Sequence, residues 1–239
     1  MLYSKVTHVG LVRKGNEDSL CVDENLNLYG VADGMGGHEA GEVASDMAVQ
    51  VVIEHLGKQQ PGALVDPSTA LVAAIRAANG LIFEKAEQMT NLRGMGTTIA
   101  IGLIRDNRLS VGHVGDSRVY LLREGKLHQI TQDHSLVNQL LINGGITEEE
   151  AFTHPQRNVL IRALGTSKEV EVDITEVQLQ VGDRILFCTD GLSGCMRKEE
   201  LQEKLNSVSS VTEAVDNLLS SALEAGGPDN ITIVLVEVD

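Results

Sequence analysis

The chain has 239 residues, 42% of them hydrophobic and none of them tryptophan, which is enough for one large aliphatic core without a staple. Its 19 Lys and Arg against 34 Asp and Glu leave a net charge of −15, which argues against binding to nucleic acid and against an anionic membrane surface. The three cysteines, Cys21, Cys188 and Cys195, form no CxxC pair, so neither a disulfide framework nor a structural zinc site is expected.

In chain order, the N-terminal MLYSKVTHVG lacks a charged-then-apolar signal pattern, and no apolar run approaches the ~18 residues of a membrane span. The expected setting is the reduced cytoplasm. LCVDENLNLYGVA reads as two strands around Asp23-Glu24-Asn25. GEVASDMAVQVVIEHLG then takes a helical period, with Val43, Ala44, Met47, Ala48, Val51 and His55 on one face and Gly57 as its stop. A second helix starts with Asp66 as N-cap and Pro67 at its first position.

Two more hairpins follow. One lies within GTTIAIGLIRDNRLSVGHV, turned at residues 105–108, and the other is RVYLLREGKLHQI, turned at Glu124-Gly125. Residues 132–168 mix short helical pieces with a Gly-Gly break and a proline, the pattern of an insertion or lid. VDITEVQL, DRILFCTD and NITIVLVEV supply later strands, with helices near 198–206 and 210–225 between the last two. Hairpins separated by helix pairs predict an α+β fold of packed antiparallel sheets flanked by helices.

Four acids sit beside strand ends. Leu-Tyr-Gly-Val-Ala runs into Asp33-Gly34, and Ser-Val-Gly-His-Val runs into Gly115-Asp116. Ile-Leu-Phe-Cys-Thr runs into Asp190-Gly191, and Asp229 precedes the strand that starts at Ile231. One Asp-Gly pair is an ordinary turn. Four carboxylates brought together would repel strongly unless hard divalent cations, which prefer oxygen ligands, lay among them. Glycines beside the acids let the backbone approach an ion, and Gly34 could offer its own carbonyl. The dinucleotide fingerprint and the nucleophile elbow both fail on glycine spacing: Glu39 stands where the third glycine would be, and Gly194 follows Ser193 one place too early.

With RKGNED at 13–18, VADGMGGHEAGEVAS, GMGTT, HVGDSR, CTDGLS and GGPDNITIV in this order, the chain resembles the metal-dependent protein phosphatases, the PPM or type 2C family, in their bacterial single-domain branch. The resemblance covers Thr7 to Val238. It implies a central β-sandwich with helices on both outer faces, one catalytic domain over residues 1–239, and a flap at about 132–168. It further implies serine/threonine phosphatase activity through a water activated by a binuclear Mn²⁺ or Mg²⁺ centre.

By the same resemblance Asp33 bridges the two ions, the Gly34 carbonyl ligates the first, and Asp190 and Asp229 ligate the second. Asp116, with Asp190, matches a third, weaker site. Glu17 and Asp18 hold metal-bound waters, Arg13 clamps the substrate phosphate, and His38 is a general-acid candidate. Expected partners are phosphorylated proteins, among them a bacterial Ser/Thr kinase that the phosphatase opposes. His113 reads as a core histidine and Cys188 as buried filler. There are two rivals: a non-catalytic relative, whose expected signature is loss of ligand acids, all of which are present here, and a hydrolase of small phosphate esters or phosphodiesters, which stays open because it would use the same two-metal chemistry.

Overall fold

The computed structural model describes residues 1–37, 40–58 and 66–239. Among these, eleven strands form two antiparallel sheets. The strands are β1 (Leu2–His8), β2 (Asp18–Asp23), β3 (Leu28–Met35), β4 (Gly96–Thr97), β5 (Ile99–Arg105), β6 (Arg108–Val114), β7 (Arg118–Arg123), β8 (Lys126–Gln129), β9 (Asp173–Gln178), β10 (Arg184–Cys188) and β11 (Ile231–Glu237). One sheet has the order β1-β11-β10-β7-β8, and the other β2-β3-β5-β6-β9 with β4 against the end of β3. The helices are α1 (Ala40–Gly57), α2 (Pro67–Gln88), α3 (Leu136–Ile142), α4 (Glu148–Thr153), α5 (Asp190–Ser193), α6 (Lys198–Ser207) and α7 (Val211–Glu224), with a 3₁₀ turn at Thr90–Leu92.

Period-two alternation builds the sandwich. In β10, Ile185 and Phe187 face the other sheet, while Leu186 and Cys188 face α6 and α7. In β3, Tyr29 and Val31 point between the sheets, and Leu28 and Ala32 point toward α1 and α2. Each sheet is thus apolar on both faces, which is why β5 and β11 read as near-continuous apolar runs. Each fully buried Leu or Ile contributes roughly 1.5–3 kcal/mol relative to exposure. The turns at Asp106-Asn107 and Glu124-Gly125 have positive φ at both central residues, which matches the right-handed twist of the flanking strands.

Two details differ from the sequence expectation. β1 was not foreseen: it is an edge strand with mixed exposure, paired along its length with β11. The buried stripe of α1 is also displaced, with Ala44, Ser45, Ala48, Val49, Val52 and Leu56 inward and Val43, Met47 and Val51 only partly covered. Small residues set this orientation. Ser45 Oγ donates to the Glu17 carbonyl at 2.6 Å and lies 2.9 Å from Ser19 Oγ, so the helix packs close against β2 and β3. No described helix is long and apolar enough to cross a membrane.

Candidate active site

All four sequence-selected acids come to one end of the sandwich, contributed by both sheets. Asp33 lies within β3, two residues before its end, directly opposite Asp18 of β2. Asp116 follows β6 in the crossover to β7, Asp190 opens α5 after β10, and Asp229 precedes β11. A cross-strand pair of carboxylates is unfavourable by itself, and this one sits in a larger crowd.

The titration behaviour records the crowding. Burial, and then the charges of Asp190, Asp18, Asp116 and Asp229, raise the Asp33 carboxyl well above its ordinary value. Asp116 is raised by burial and by Asp190 and Asp133, with Arg118 opposing. Asp190 is raised by burial and Asp229, with its contact to Asp33 opposing. Asp18 is pushed up to about 7, chiefly by burial, although bonds from Thr232 and Thr189 resist this.

Oxygens without partners point the same way. Oδ1 of Asp18 and Oδ1 of Asp190 are buried with no hydrogen-bond partner among the described residues, which native interiors rarely tolerate. No three of these side chains already stand as a closed ligand set among the described residues. Hard divalent ions that keep several of their waters do not require one. The donor set, all carboxylate and carbonyl oxygen, fits Mg²⁺ or Mn²⁺ and offers no thiolate or imidazole.

The backbone around Asp33 is built for approach. A Cβ on Gly34 would lie 2.1 Å from the Gly41 carbonyl oxygen and 2.5 Å from that of Glu17, so only glycine fits where β3, α1 and the 13–18 loop converge. The Gly34 amide donates to the Glu17 carbonyl at 3.1 Å. That loop is in turn held by Asn230, which accepts from the Glu17 amide at 2.8 Å and donates to the Val9 and Gly15 carbonyls at 2.9 Å each.

Sequence reasoning listed the GMGTT motif but gave it no role. Thr98 Oγ1 accepts from the Asp33 amide at 2.9 Å and bonds Ser117 Oγ at 2.7 Å, while Thr97 Oγ1 donates to the Asp33 carbonyl at 2.8 Å. Thr189 Oγ1 donates to Asp18 Oδ2 at 2.8 Å. The available signal was two adjacent threonines at a strand tip, with hydroxyls suited to fix a neighbouring backbone.

Arg13 reaches the site as expected, but here its Nη2 donates to Asp229 Oδ2 at 2.7 Å. About half of its side chain is exposed. Glu17, raised by burial, lies beside it. His38 falls outside the described residues. His113 is a core histidine, 2% exposed, and Cys188 is buried.

From Asp116 and Asp190 a cleft of about 390 Å³ opens between the 132–168 segment and the start of α6, walled by Phe152, Arg157, Met196 and Arg197. Arg197 bridges it with two bonds to Glu149, both 2.6 Å, and lies 5.1 Å from the Phe152 ring centre. A shallower depression of about 430 Å³ lies at the far ends of the strands, beside Met1, Asn25 and Arg105, away from the acids.

Comparison with known proteins matches this arrangement. Residues 13–230 fit the family model described as Protein phosphatase 2C. The chain is 45% identical over 236 residues to the serine/threonine protein phosphatase PstP of Mycobacterium tuberculosis, covering 99% of this chain but only 45% of that protein. It therefore spans about half the length of those first relatives. The serine/threonine phosphatase stp of Listeria monocytogenes is 42% identical, with 98% of this chain and 94% of that protein covered.

Among solved structures, M. tuberculosis PstP/Ppp superposes with a TM-score of 0.92 at 44% identity, over 100% of this chain and 98% of that one. A PstP catalytic domain in complex with two manganese ions gives a TM-score of 0.90 at 41% identity, over 100% and 98% of the two chains. The order of the motifs, the double-sheet sandwich and the crowded acids at its end, taken with these matches, place the chain in the protein phosphatase 2C family.

Proposed function

We propose that the chain is a metal-dependent hydrolase that removes phosphate from phosphoserine and phosphothreonine in proteins. Asp33, the Gly34 carbonyl, Asp190 and Asp229 would hold two ions, Mn²⁺ or Mg²⁺, and Asp116 with Asp190 would hold a third more weakly. The observation that carries this reading is the convergence on Asp33 of the charges of Asp190, Asp18, Asp116 and Asp229, in a relative set where PstP binds two manganese ions.

When bound, such ions supply a water acidic enough to ionise near neutral pH and offset the charge of phosphoryl oxygens. The chain's own residues do the rest. Thr97 and Thr98 fix the backbone of Asp33, which would limit where its carboxylate can sit when ions are bound. Glu17 and Asp18 stand behind the ligands, where they would order waters of the ions. Arg13, half exposed at the rim, would exchange Asp229 for a substrate phosphate, a bidentate match for its guanidinium. His38 is the general-acid candidate for the leaving oxygen, on family resemblance. The cleft beside Asp116 and Asp190 would take the peptide that flanks the phosphorylated residue. A bacterial Ser/Thr kinase and its targets are the proposed partners.

The test compares demetallated protein with and without Mn²⁺ on a phosphothreonine peptide and on a phosphodiester of similar size. Metal-restored turnover of the peptide with little on the diester is expected. Full activity without metal, or faster diester hydrolysis, overturns the reading.

A further inference from the structure

One buried side chain of the flap segment grips the loop that carries Asp116. His134 is 5% exposed and stands at the entrance to the 132–168 segment. It grips a single residue twice: its amide donates to the Gly115 carbonyl at 2.7 Å, and its Nδ1 accepts from the Gly115 amide at 3.0 Å. Gly115 immediately precedes Asp116.

Because a backbone N–H can only donate, Nδ1 must carry the lone pair. The neutral ring therefore holds its proton on Nε2, which lies 3.1 Å from Asp173 Oδ2 and 3.0 Å from Arg162 Nη1. The other oxygen of Asp173 accepts from Arg162 Nη1 at 2.5 Å. One face of the ring stacks on His113, with centroids 4.8 Å apart. Tilt and depth of the imidazole are thus set from outside.

The Gly115 side is equally constrained. Its φ is +111°, and a Cβ there would lie 2.5 Å from Thr98 Cγ2, so the loop has no slack toward β5. On the flap side, the His134 carbonyl accepts from the Ile161 amide at 2.9 Å, and Ser135 bridges to Leu160. His134 is the point where the two ends of the flap are closed and where that closed base touches the loop carrying Asp116.

We propose that His134 is a positioning residue: through Gly115 it sets the place of Asp116 and makes the Asp116 loop and the base of the flap one rigid piece. This rests on the reading of Asp116 as a ligand of a weak third ion, and the experiment separates the two. Backbone amide exchange at residues 115–117 is measured on metal-free protein, and Mn²⁺ binding is followed by calorimetry, for wild type, Asp116→Ala, His134→Leu and His134→Asn.

His134→Leu keeps the volume but loses the acceptor. It should speed exchange at residues 115–117 at least ~tenfold while β10 and β11 amides keep their protection, and should weaken only the weak Mn²⁺ class. His134→Asn places a carbonyl oxygen near the Nδ1 position and should restore most of both properties. Should His134→Leu fail to fold, Asp173→Ala carries the test, because it frees the ring from an edge strand where that side chain is 43% exposed. Unchanged exchange at 115–117 in the folded variant overturns the proposal whatever the metal does. If Asp116→Ala binds Mn²⁺ like wild type while His134→Leu still loosens the loop, the third-ion reading falls and the positioning role stands. If Asp116→Ala alone loses the weak class, His134 does not position the ligand.

Discussion

Nη2 of Arg13 and Oδ2 of Asp229 lie 2.7 Å apart, although 216 positions separate the two residues in sequence. The same guanidinium that the family resemblance assigns to substrate phosphate therefore neutralises, in the structure, an acid proposed as a metal ligand. Asp229 raises the Arg13 pKa through this bond, with burial opposing it. Arg13→Ala should lower kcat/KM on a phosphopeptide by roughly 10- to 100-fold, the scale of one lost charged hydrogen bond, with KM changing more than kcat. Metal affinity should stay level or tighten slightly, since a competitor for Asp229 is gone. Calorimetry that shows metal binding collapsing instead would make Arg13 a structural post.

Asp33 is the most crowded acid, so its removal should have opposite effects on chemistry and stability. Asp33→Ala should lower turnover at least ~10³-fold, because in the proposed centre both ions would share it. The demetallated variant should melt above demetallated wild type. The sign follows from linkage. A carboxyl whose pKa is raised in the folded state costs stability as pH rises above its ordinary value. Demetallated wild type should therefore be less stable at pH 8 than at pH 5.5, Mn²⁺ should restore the loss, and Asp33→Ala should show a smaller pH effect. Thermal melts at the two pH values decide it, and a wild type indifferent to both pH and Mn²⁺ would sink the clustered-acid reading.

Thr98→Val tests the cradle apart from the acids. The substitution keeps the shape but leaves the Asp33 amide and the Ser117 hydroxyl without their shared partner. Buried groups left unpaired cost about 1–3 kcal/mol. Urea unfolding should show a loss of that size, and kcat should fall while KM for Mn²⁺ rises. A variant equal to wild type in both assays would mean that Thr98 is only packing.

His113 carries a pH signature of its own. Burial, then the neighbouring His134, lowers its pKa from 6.5 to about 4. Its stability contribution is therefore complete above pH 6.5 and is lost as pH falls toward 4, because the unfolded chain takes up the proton first. The difference is on the order of 3 kcal/mol. His113→Gln should be less stable than wild type at pH 7.5 but lose less between pH 7 and pH 4.5. Parallel curves from urea unfolding of the demetallated proteins would refute the assignment.

Much of this architecture was legible because its signals are local. Asp66 as N-cap and Pro67 at the first position were chemistry at fixed offsets, and Asp66 does accept from the Thr69 amide at 3.0 Å. The hairpin turns at Asp106-Asn107 and Glu124-Gly125 were legible for the same reason. The site acids announced themselves by recurrence, one at each of four strand ends. What stayed hidden depends on partners distant in sequence. β1 is strand-like only once β11 lies beside it. The inward stripe of α1 is chosen by Ser45 finding Glu17 and Ser19. Thr98 and His134 owe their roles to Asp33 and Gly115, and no spacing rule connects those pairs.

β11, the last strand in the sequence, lies inside its sheet between β1 and β10 rather than at an edge. Asp229, two residues ahead of that strand, completes a cluster around Asp33, which is translated 196 residues earlier. A nascent chain still short of Ile231 has neither the full set of acids nor the strand that bridges the two halves of its sheet. The proposed metal centre therefore cannot be complete before Asp229 is in place and β11 can pair between β1 and β10.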